Sequence, residues 1–563
     1  MKTNKKLLST FIILLISSFF AAHSQVLNDA QLLKPGNWVY EAMQDLSTES
    51  RKAIFMDTQP ISVGELKFYL SKINYESLSE SGKALYSKVE KYLYTSNSIL
   101  YPNDSATKLY VNVKLTPEYY LRTNKEIPST AGKYFESYPL EIPMMFGFSE
   151  NVAFQLDYFY GKNRDGYLSL DTFTNIPLSE GNDFEYPRWA YGNVGNNFSN
   201  WGFSASFGKE GFSIGNSKLG SVIYNSTFET DYYSVLSAYS ENVKYNLIVS
   251  QVDSTRFLYL HNFNMNLLPN LKFSMTEGCL KDGGFQLRYL NPTMIVHSFY
   301  SASDYPNYPE YQNISGDFSG HCSYMGVTLE YQPVKNLRIY AIYAQNELQA
   351  GGELDSDYGK SKPDGIGLQT GIDYIIPHKN ENYFKINVES VYNTPFLYLK
   401  QTPSMSLIKY ENVFSEETKY VNYIGNPFGS DVFALNLSLD YKKPQKWSAG
   451  FTNLLTIKGE INENKILNTY KYGIPFYYPS VIFKSDYATA EEKEEALALG
   501  RQKKLTGTLQ YRNDTSLSFE YFFNDKLKVA TEGTYSFIIN NKNVQGDFKQ
   551  GFELKLAVSY NLF

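Results

Sequence analysis

The spacing of apolar residues divides this chain into a short helical part and a long part that forms strands. Between residues 38 and 94, apolar side chains recur every three or four positions, which places them on one face of a helix. These sets are Leu66, Leu70 and Ile73, and Leu85, Val89 and Leu93. Ser62 with Glu65 forms a capping box, and Ser79 can cap the next helix. We predict two or three short helices. Their apolar residues are too few for a core of their own, so we expect them to pack against the mouth of a β-barrel formed by the rest of the chain, or against a partner.

After Asp104 the period changes to two and stays so to the end of the chain. Apolar and polar side chains then alternate, which gives a strand one apolar and one hydrophilic face. The apolar sets include Leu109, Val111, Val113 and Leu115; Val152, Phe154, Leu156 and Tyr158; Phe384, Ile386 and Val388; and Phe433, Leu435, Leu437, Leu439 and Tyr441. A membrane barrel turns such sets toward lipid and lines its lumen with the polar ones. We therefore interpret Asp157, Glu389 and Asp440 as solvated lumen lining.

The connections between the alternating runs are of two lengths. Tight turns rich in Asn, Asp, Ser or Pro are predicted at 149–151, 442–446, 513–514 and 524–525. Long polar connections are predicted at 163–201, 301–320 and 400–426, and a surface helix at 489–499. Short turns at one end and long loops at the other are typical of outer-membrane barrels. At ~10 residues per spanning strand, the alternating part predicts roughly 16 to 20 strands, with about 18 favoured.

The two ends of the chain carry signals for export and assembly. Basic residues, an apolar run from Leu7 to Ala22 and small residues before Gln25 predict a signal peptide. No later stretch has the ~18 consecutive apolar residues of a spanning helix. The last strand ends in the aromatic Phe563, one step off the apolar face, and resembles the terminal strand that barrel-assembly machinery recognises. The predicted organisation is a signal peptide at 1–24, a periplasmic helical segment at 25–104 and an outer-membrane barrel at 105–563.

The composition agrees with a barrel that has one lipid face and one wet face. The 563 residues include 50 Tyr and 38 Phe, while the mean hydropathy of -0.37 is that of a water-soluble protein. Aromatic girdles at both membrane interfaces give this combination, although a large soluble β-sandwich or propeller can also be rich in Tyr. The formal net charge of -6 argues against a nucleic-acid partner. Cys279 and Cys322 can be joined by one bridge or remain thiols.

Candidate chemistry is sparse. Residues 211–215 match the G-x-S-x-G pattern of hydrolases, but they lie among alternating strand residues with no helix after them, so we interpret the match as chance. The histidines His261, His297, His321 and His378 are too scattered for a metal site, and we predict neither a metal nor a cofactor. No Ser, His and carboxylate grouping stands out, and we predict that the chain is not an enzyme.

Several ordered blocks resemble the capsule-assembly Wzi family. They begin at Phe207-Gly208-Lys209-Glu210 and run through 231, 258–263, 275–278 and 289–297, with later blocks at 336–347 and 422–429. The family-motif positions are Lys209, Asp231, His261, Glu277, Asn291, Pro292, His297 and Glu347. The resemblance covers most of the predicted barrel. It implies a non-enzymatic outer-membrane lectin with periplasmic helices that helps to assemble or attach capsular or other surface polysaccharide.

Sugars offer hydroxyls for hydrogen bonds and C–H faces for stacking on aromatic rings, so Tyr-rich polar loops suit them. The glycan-binding candidates are Tyr300, Asp304, Tyr305, Tyr308 and Tyr398, although such loops can also form only an interfacial girdle. The expected partners are outer-membrane lipid, surface polysaccharide and, during biogenesis, the barrel-assembly machinery, and we expect a monomer. Two other functions stay open: a porin or channel for small polar solutes, and an adhesin.

Overall fold

The computed structural model shows a closed antiparallel β-barrel with helices at one end. It describes residues 23–25, 28–94, 96–100, 107–127, 137–162, 173–177, 182–183, 189–209, 211–228, 230, 232–292, 321–348, 363–400, 405–412, 419–461, 491 and 503–562. The last strand, Phe548–Asn561, pairs with the segment Glu118–Arg122 of the first, with Leu554 opposite Leu121, and this ladder closes the barrel. The prediction of a large closed antiparallel barrel with an N-terminal helical segment is therefore confirmed, with 18 strands.

The strands follow one another around the barrel in chain order. Strand β1 consists of three segments, Thr107–Val111, Lys114–Leu115 and Glu118–Arg122. The others are β2 Leu140–Phe148, β3 Val152–Lys162, β4 Trp189–Asn197, β5 Trp201–Lys209, β6 Tyr232–Ser240, β7 Val243–Gln251, β8 Arg256–Leu268, β9 Leu271–Asp282, β10 His321–Tyr331, β11 Leu337–Glu347, β12 Gly365–Pro377, β13 Tyr383–Asn393, β14 Val432–Lys443, β15 Trp447–Lys458, β16 Gln510–Phe522, β17 Leu527–Ile539 and β18 Phe548–Asn561.

The predicted apolar face points away from the lumen. On β14, Leu437 is 44% exposed whereas its neighbour Asn436 is 1% exposed. The same contrast holds on β13, where Val388 faces outward and Glu389 inward. Among the described helices, none has both the length and the apolar character needed to cross a membrane.

Two of the predicted connections are wrong. The turn at 513–514 lies inside β16, where the Asn513 side chain bonds Asn453 of β15 and the Asp514 carboxylate accepts a hydrogen bond from Ser536 of β17, so cross-strand partners replace the turn. The long connection at 163–201 contains β4. This strand was missed because its large side chains, Trp189 and Tyr191, are buried on the lumenal side instead of facing lipid.

Three helices occupy the short-turn end of the barrel: α1 Trp38–Ser50, α2 Val63–Leu70 and α3 Glu80–Tyr94. Asn37 caps α1 by accepting a hydrogen bond from the Val39 N–H. Ser62 and Ser79 cap α2 and α3 as predicted, through the backbone N–H groups of Glu65 and Gly82. The Ala53 N–H donates to the Pro269 carbonyl in the turn between β8 and β9, which ties this segment to the wall.

The described part of the N-terminal segment, residues 28–94, extends into the lumen and is called here the N-terminal plug. The prediction that it packs against the barrel is confirmed, and its buried side chains come from the helices and from the chain between them. Helix residues pack with chain between the helices, such as Ile54, Phe55 and Met56, in one buried cluster that also includes Tyr239 of the wall. The barrel supplies the second side of this core, which the helix pattern by itself does not reveal.

A second body of chain enters the lumen from the long-loop end. It consists of the described connections of β5 to β6 and of β13 to β14, residues 211–228, 394–400, 405–412 and 419–431, and is called here the loop plug. Its buried residues, including Phe212, Tyr224, Phe396 and Ile424, form a hydrophobic cluster with lumenal residues of the wall. Part of the predicted loop 400–426 belongs to this body, whereas 489–499 and 301–320 lie outside the described residues except for Glu491.

Candidate functional site

Cations on the lumenal wall face carboxylates of the N-terminal plug. The wall supplies Lys244, Lys272, Lys385 and Lys442, and the plug supplies Glu41, Asp45, Asp57 and Glu65. Each of the four lysines bonds at least one plug carboxylate. The plug is therefore docked by opposite charges as well as by apolar packing.

The most deeply buried of these contacts is centred on Lys272. Its ammonium lies 3.0 Å from Asp57 Oδ1 and 3.1 Å from Glu330 Oε2. Glu330 also accepts a hydrogen bond from Arg338, whose other guanidinium nitrogen bonds Asp373 at 2.8 Å. All five side chains are buried. In such surroundings each charge depends on its partners, because an uncompensated buried ion is costly.

A second contact holds the first helix. Lys385 lies 2.6 Å from Asp45 Oδ1 and 3.1 Å from Glu41 Oε1, and Lys442 lies 2.7 Å from the same Glu41 oxygen. Attraction to Lys385 and then to Lys442 holds the pKa of Glu41 well below its usual range. Burial raises the pKa of Asp45 in spite of Lys385. Glu65, bonded to Lys244 at 2.6 Å, also has a raised pKa because it is desolvated.

A carboxylate of the wall, Glu389, anchors the loop plug. Glu389 accepts hydrogen bonds from the backbone N–H groups of Lys218 and Leu219 at 2.8 and 2.9 Å. The side chains of Gln369 and Tyr340 donate to it as well. Four donors to one carboxylate make it an anchor for the loop.

The interpretation of Asp157 and Glu389 as solvated lumen lining is therefore wrong, whereas Asp440 is partly exposed to solvent. Asp157 is buried and lies 2.5 Å from Lys34 of the N-terminal plug, and Asp440 bonds Lys218 of the loop plug at 3.3 Å. The reason is that plug residues take the place that water has in an open pore.

The two plugs touch each other near the middle of the lumen. Ser213 and Ile214 of the loop plug pair with Gln59 and Thr58 of the N-terminal plug as a short antiparallel ladder. The Asn216 amide adds a hydrogen bond to Gln44 of α1 at 2.8 Å. Ser213, the serine of the G-x-S-x-G match, is thus buried in this junction and no helix follows it.

Tyr398 lies inside the loop plug and not on an outer loop surface. It is 0% exposed. Its hydroxyl donates to the Val222 carbonyl at 2.7 Å and accepts from the Asn426 N–H at 3.1 Å. With both hydrogen-bonding functions of the hydroxyl used internally, Tyr398 supports the plug.

Four family-motif positions lie together on the outer wall of the barrel. His261 and Glu277 are opposite each other on β8 and β9 and point away from the lumen. A short 3-10 helix, Leu287–Leu290, followed by Asn291 and Pro292, lies over this patch. We call residues 283–292 the strap. At this patch the strap, and not the wall, forms the outward surface of the protein, since Phe285 and Leu287 of the strap are 52% and 74% exposed.

Hydrogen bonds attach the strap to the wall. His261 Nε2 lies 3.0 Å from the Tyr289 carbonyl and must donate, so His261 Nδ1 accepts from the Tyr245 hydroxyl at 2.7 Å. The Gln286 N–H donates to the Tyr259 hydroxyl at 2.7 Å. Gly283 and Gly284, with φ of 107° and 88°, let the chain reverse at the rim, a backbone conformation that other residues adopt only with strain.

The remaining sequence candidates are dispersed. Lys209 ends β5 opposite Ala190, and Glu347 pairs with Lys400 at the long-loop end. Tyr300, Asp304, Tyr305, Tyr308, Asp231 and His297 lie outside the described residues. Cys279 and Cys322 are not bridged, because Cys279 stands opposite Ser323 and Cys322 opposite Leu280, so their thiols leave opposite faces of the sheet. Among the described side chains, no three His, Cys, Asp or Glu residues gather as a metal ion requires.

Sequence reasoning missed the docking lysines. A usable signal was present, because Lys244, Lys272 and Lys385 occupy lumenal positions of alternating strands while the helical segment carries acidic residues. Opposite charge on two parts of one chain predicts attraction. The alternation by itself predicts only that these lysines line the lumen, and not that they bind the helical segment.

Lys272→Met is expected to loosen the N-terminal plug, because it leaves Asp57 without its buried cation. The free energy of opening of α1, measured by hydrogen exchange, should fall by about 3–5 kcal/mol. Lys528→Met is the matched control, since Lys528 forms a half-exposed pair with Glu520 and should cost at most about 1 kcal/mol. Equal effects of the two variants would contradict a docking role for the buried lysine.

His261→Phe is expected to free the strap while it keeps a ring in place. The Tyr289 carbonyl then loses its donor, at a cost of about 1–3 kcal/mol. Hydrogen exchange at the amides of Gln286, Tyr289 and Asn291 should become faster, with α1 unchanged. Phe263→Leu, one step along the same outward face, is the control and should leave these amides as they are. Unaltered strap exchange in His261→Phe would show that the histidine does not hold it.

No protein-family model and no curated protein sequence matches the chain. Among solved structures, the chain is similar to Wzi of Escherichia coli, described as an outer-membrane protein involved in group 1 capsule assembly and a carbohydrate-binding β-barrel. That match has a TM-score of 0.52 and 10% identity and covers 94% of this chain and 99% of Wzi. The chain is also similar to OprD of Pseudomonas aeruginosa, with a TM-score of 0.37, 11% identity and coverage of 81% and 94%. The likeness to Wzi extends over both chains, and this protein has the fold of an outer-membrane β-barrel.

Proposed function

We propose that this protein is a non-enzymatic, glycan-binding barrel of the outer membrane that helps to assemble or attach capsular or extracellular polysaccharide. The observation that carries the proposal is the fold shared with Wzi over nearly the whole of both chains. The ordered sequence blocks around Lys209, His261, Glu277 and Asn291 point the same way.

The filled lumen supports a role at the barrel ends. Two plugs occupy it, each held by buried hydrogen bonds and ion pairs, and they join at the ladder that pairs Ser213 with Gln59 and Ile214 with Thr58. A polymer many sugars long could not pass through without displacing both. Binding of a polysaccharide at the loop surface needs no such displacement.

The loop plug gives the long-loop end a rigid base. Tyr398 and Tyr324 both donate to the Val222 carbonyl, and these residues belong to one hydrophobic cluster. Rigid supports reduce the entropy lost when loops bind a ligand. Tyr300, Asp304, Tyr305 and Tyr308 are proposed to contact the glycan, with Tyr398 beneath as support.

We also propose how the chain reaches the outer membrane and how it is oriented there. The chain is exported through a signal peptide cleaved after Ser24, inserted by the barrel-assembly machinery and monomeric. Its short-turn end, with the helices, faces the periplasm. The burial of Ser213 at the junction of the plugs supports binding without hydrolysis, because a nucleophile must reach its substrate.

The test of the proposed function has a cellular part. Deletion of the gene should lower the amount of polysaccharide retained at the cell surface, and the wild-type gene should restore it. Retention unchanged by the deletion, in a strain that makes surface polysaccharide, would reject the proposal.

A second test addresses the candidate residues. The double variant Tyr305→Ala with Tyr308→Ala should weaken binding of the purified full chain to the cell's own surface polysaccharide by about tenfold or more, equal to about 1.4 kcal/mol. Tyr75→Ala removes an exposed tyrosine at the helical end and is the control. If the double variant binds as well as the wild type and the control, these two tyrosines do not contact the glycan.

A further inference from the structure

The plugs do not cover the lumenal wall evenly. On strands β7 to β13 the inward side chains are buried, as shown by Asn246, Thr276 and Gln369, each 0% exposed. On β15 and β16 every inward residue is partly exposed to solvent. These residues are Ser448, Gly450, Thr452, Leu454, Thr456 and Lys458 on β15, and Gln510, Arg512, Asp514, Ser516, Ser518 and Glu520 on β16.

These twelve residues form one continuous cross-strand ladder. Ser448 stands opposite Glu520 next to the short turns, Gly450 opposite Ser518, and so on up to Lys458 opposite Gln510 at the long-loop end. Their outward neighbours confirm the direction, since Leu517 and Phe519 are 65% and 45% exposed on the lipid side. Each inward residue of this sector is therefore partly accessible to solvent, from the short-turn end to the long-loop end.

The chemistry of the ladder is that of an aqueous lining. Its middle carries small groups, Gly450, Thr452, Ser516 and Ser518. Its ends carry ion pairs: Glu520 with Lys528 of β17 at 3.1 Å near the short turns, and Arg512 with Asp514 at 2.8 Å near the long loops. Small hydroxyls and opposed charges line the interior of water-filled barrels.

The apolar contact of the ladder with the loop plug is at Leu454, which packs on its hydrophobic cluster. Below that point Gly450 marks a close approach, because a Cβ there would lie 2.6 Å from Ser518 Oγ and 2.8 Å from Asp440 Oδ1. A side chain at this level would project into the space beside the plug. The level of Gly450 and Ser518 is therefore the place where added volume should matter most.

We propose that an aqueous passage for monovalent ions and other small polar solutes runs off the barrel axis, between the plugs and strands β15 and β16. The passage is a second activity, independent of glycan binding. It explains why this sector keeps small and charged inward residues that are partly exposed, whereas the inward side chains of β7 to β13 are buried.

The test uses the purified full chain in planar lipid bilayers with potassium chloride as the probe. The wild type should show single-channel conductance, and Ser518→Trp, which fills the passage, should lower it at least severalfold. Phe519→Trp is the matched control: it adds an indole one residue away on the lipid face and should conduct as the wild type does. An electrically silent wild type, or equal conductance of the two tryptophan variants, overturns the proposal.

Charge variants give a second readout that misfolding would not imitate. Glu520→Gln leaves Lys528 as an uncompensated cation and should shift the reversal potential in a salt gradient toward anion preference. Lys528→Gln should shift it toward cation preference. Shifts of the same sign, or none, would show that ions do not pass this pair.

Failure of this proposal is distinguishable from failure of the proposed function. Ser518→Trp should leave surface polysaccharide retention at the wild-type level, because the residue lies inside the lumen far from the long-loop surface. A joint loss of conductance and retention in this variant would overturn the independence of the two activities.

Discussion

The fold of this protein depends on the attraction between cations of the barrel wall and carboxylates of the chain inside it. Lys272 is the central case, a buried ammonium between Asp57 of the N-terminal plug and Glu330 of the wall. Burying these ions separately would cost several kcal/mol each, so the wall and the plug require each other. The geometry also selects one docked position, since an ion pair tolerates little displacement in a low-dielectric interior.

Because the plugs fill the lumen, many inward polar side chains of the strands bind plug residues instead of water. In a water-filled barrel an inward carboxylate is solvated, whereas here Glu389 holds two backbone N–H groups of the loop plug and Asp157 pairs with Lys34. The inner wall thus acts as a binding surface for the chain itself. The inward residues of β15 and β16 differ, because they keep the partial exposure of an aqueous lining.

The outer wall departs from a simple lipid face as well. His261 and Glu277 are polar groups at outward positions, where contact with acyl chains would be unfavourable. The strap resolves this conflict by placing a hydrogen-bonded segment over them and presenting Phe285 and Leu287 outward. On this face, the hydrogen bonds of His261 with Tyr289 and of Tyr259 with Gln286 fix the strap to the wall.

The sequence by itself determined most of the strands, the helices and their caps, and which strand face meets lipid. The two-residue period of Phe433 to Leu439 and the capping pair of Ser62 and Glu65 are local signals, and local geometry decides them. Only the tertiary structure decided what fills the lumen, that Tyr398 is interior, and that the outward His261 is covered. These outcomes rest on contacts such as Lys272 with Asp57, which are remote along the chain. The alternation of apolar and polar residues predicts which side of a strand a residue faces. It does not predict which segment of the chain packs against that side.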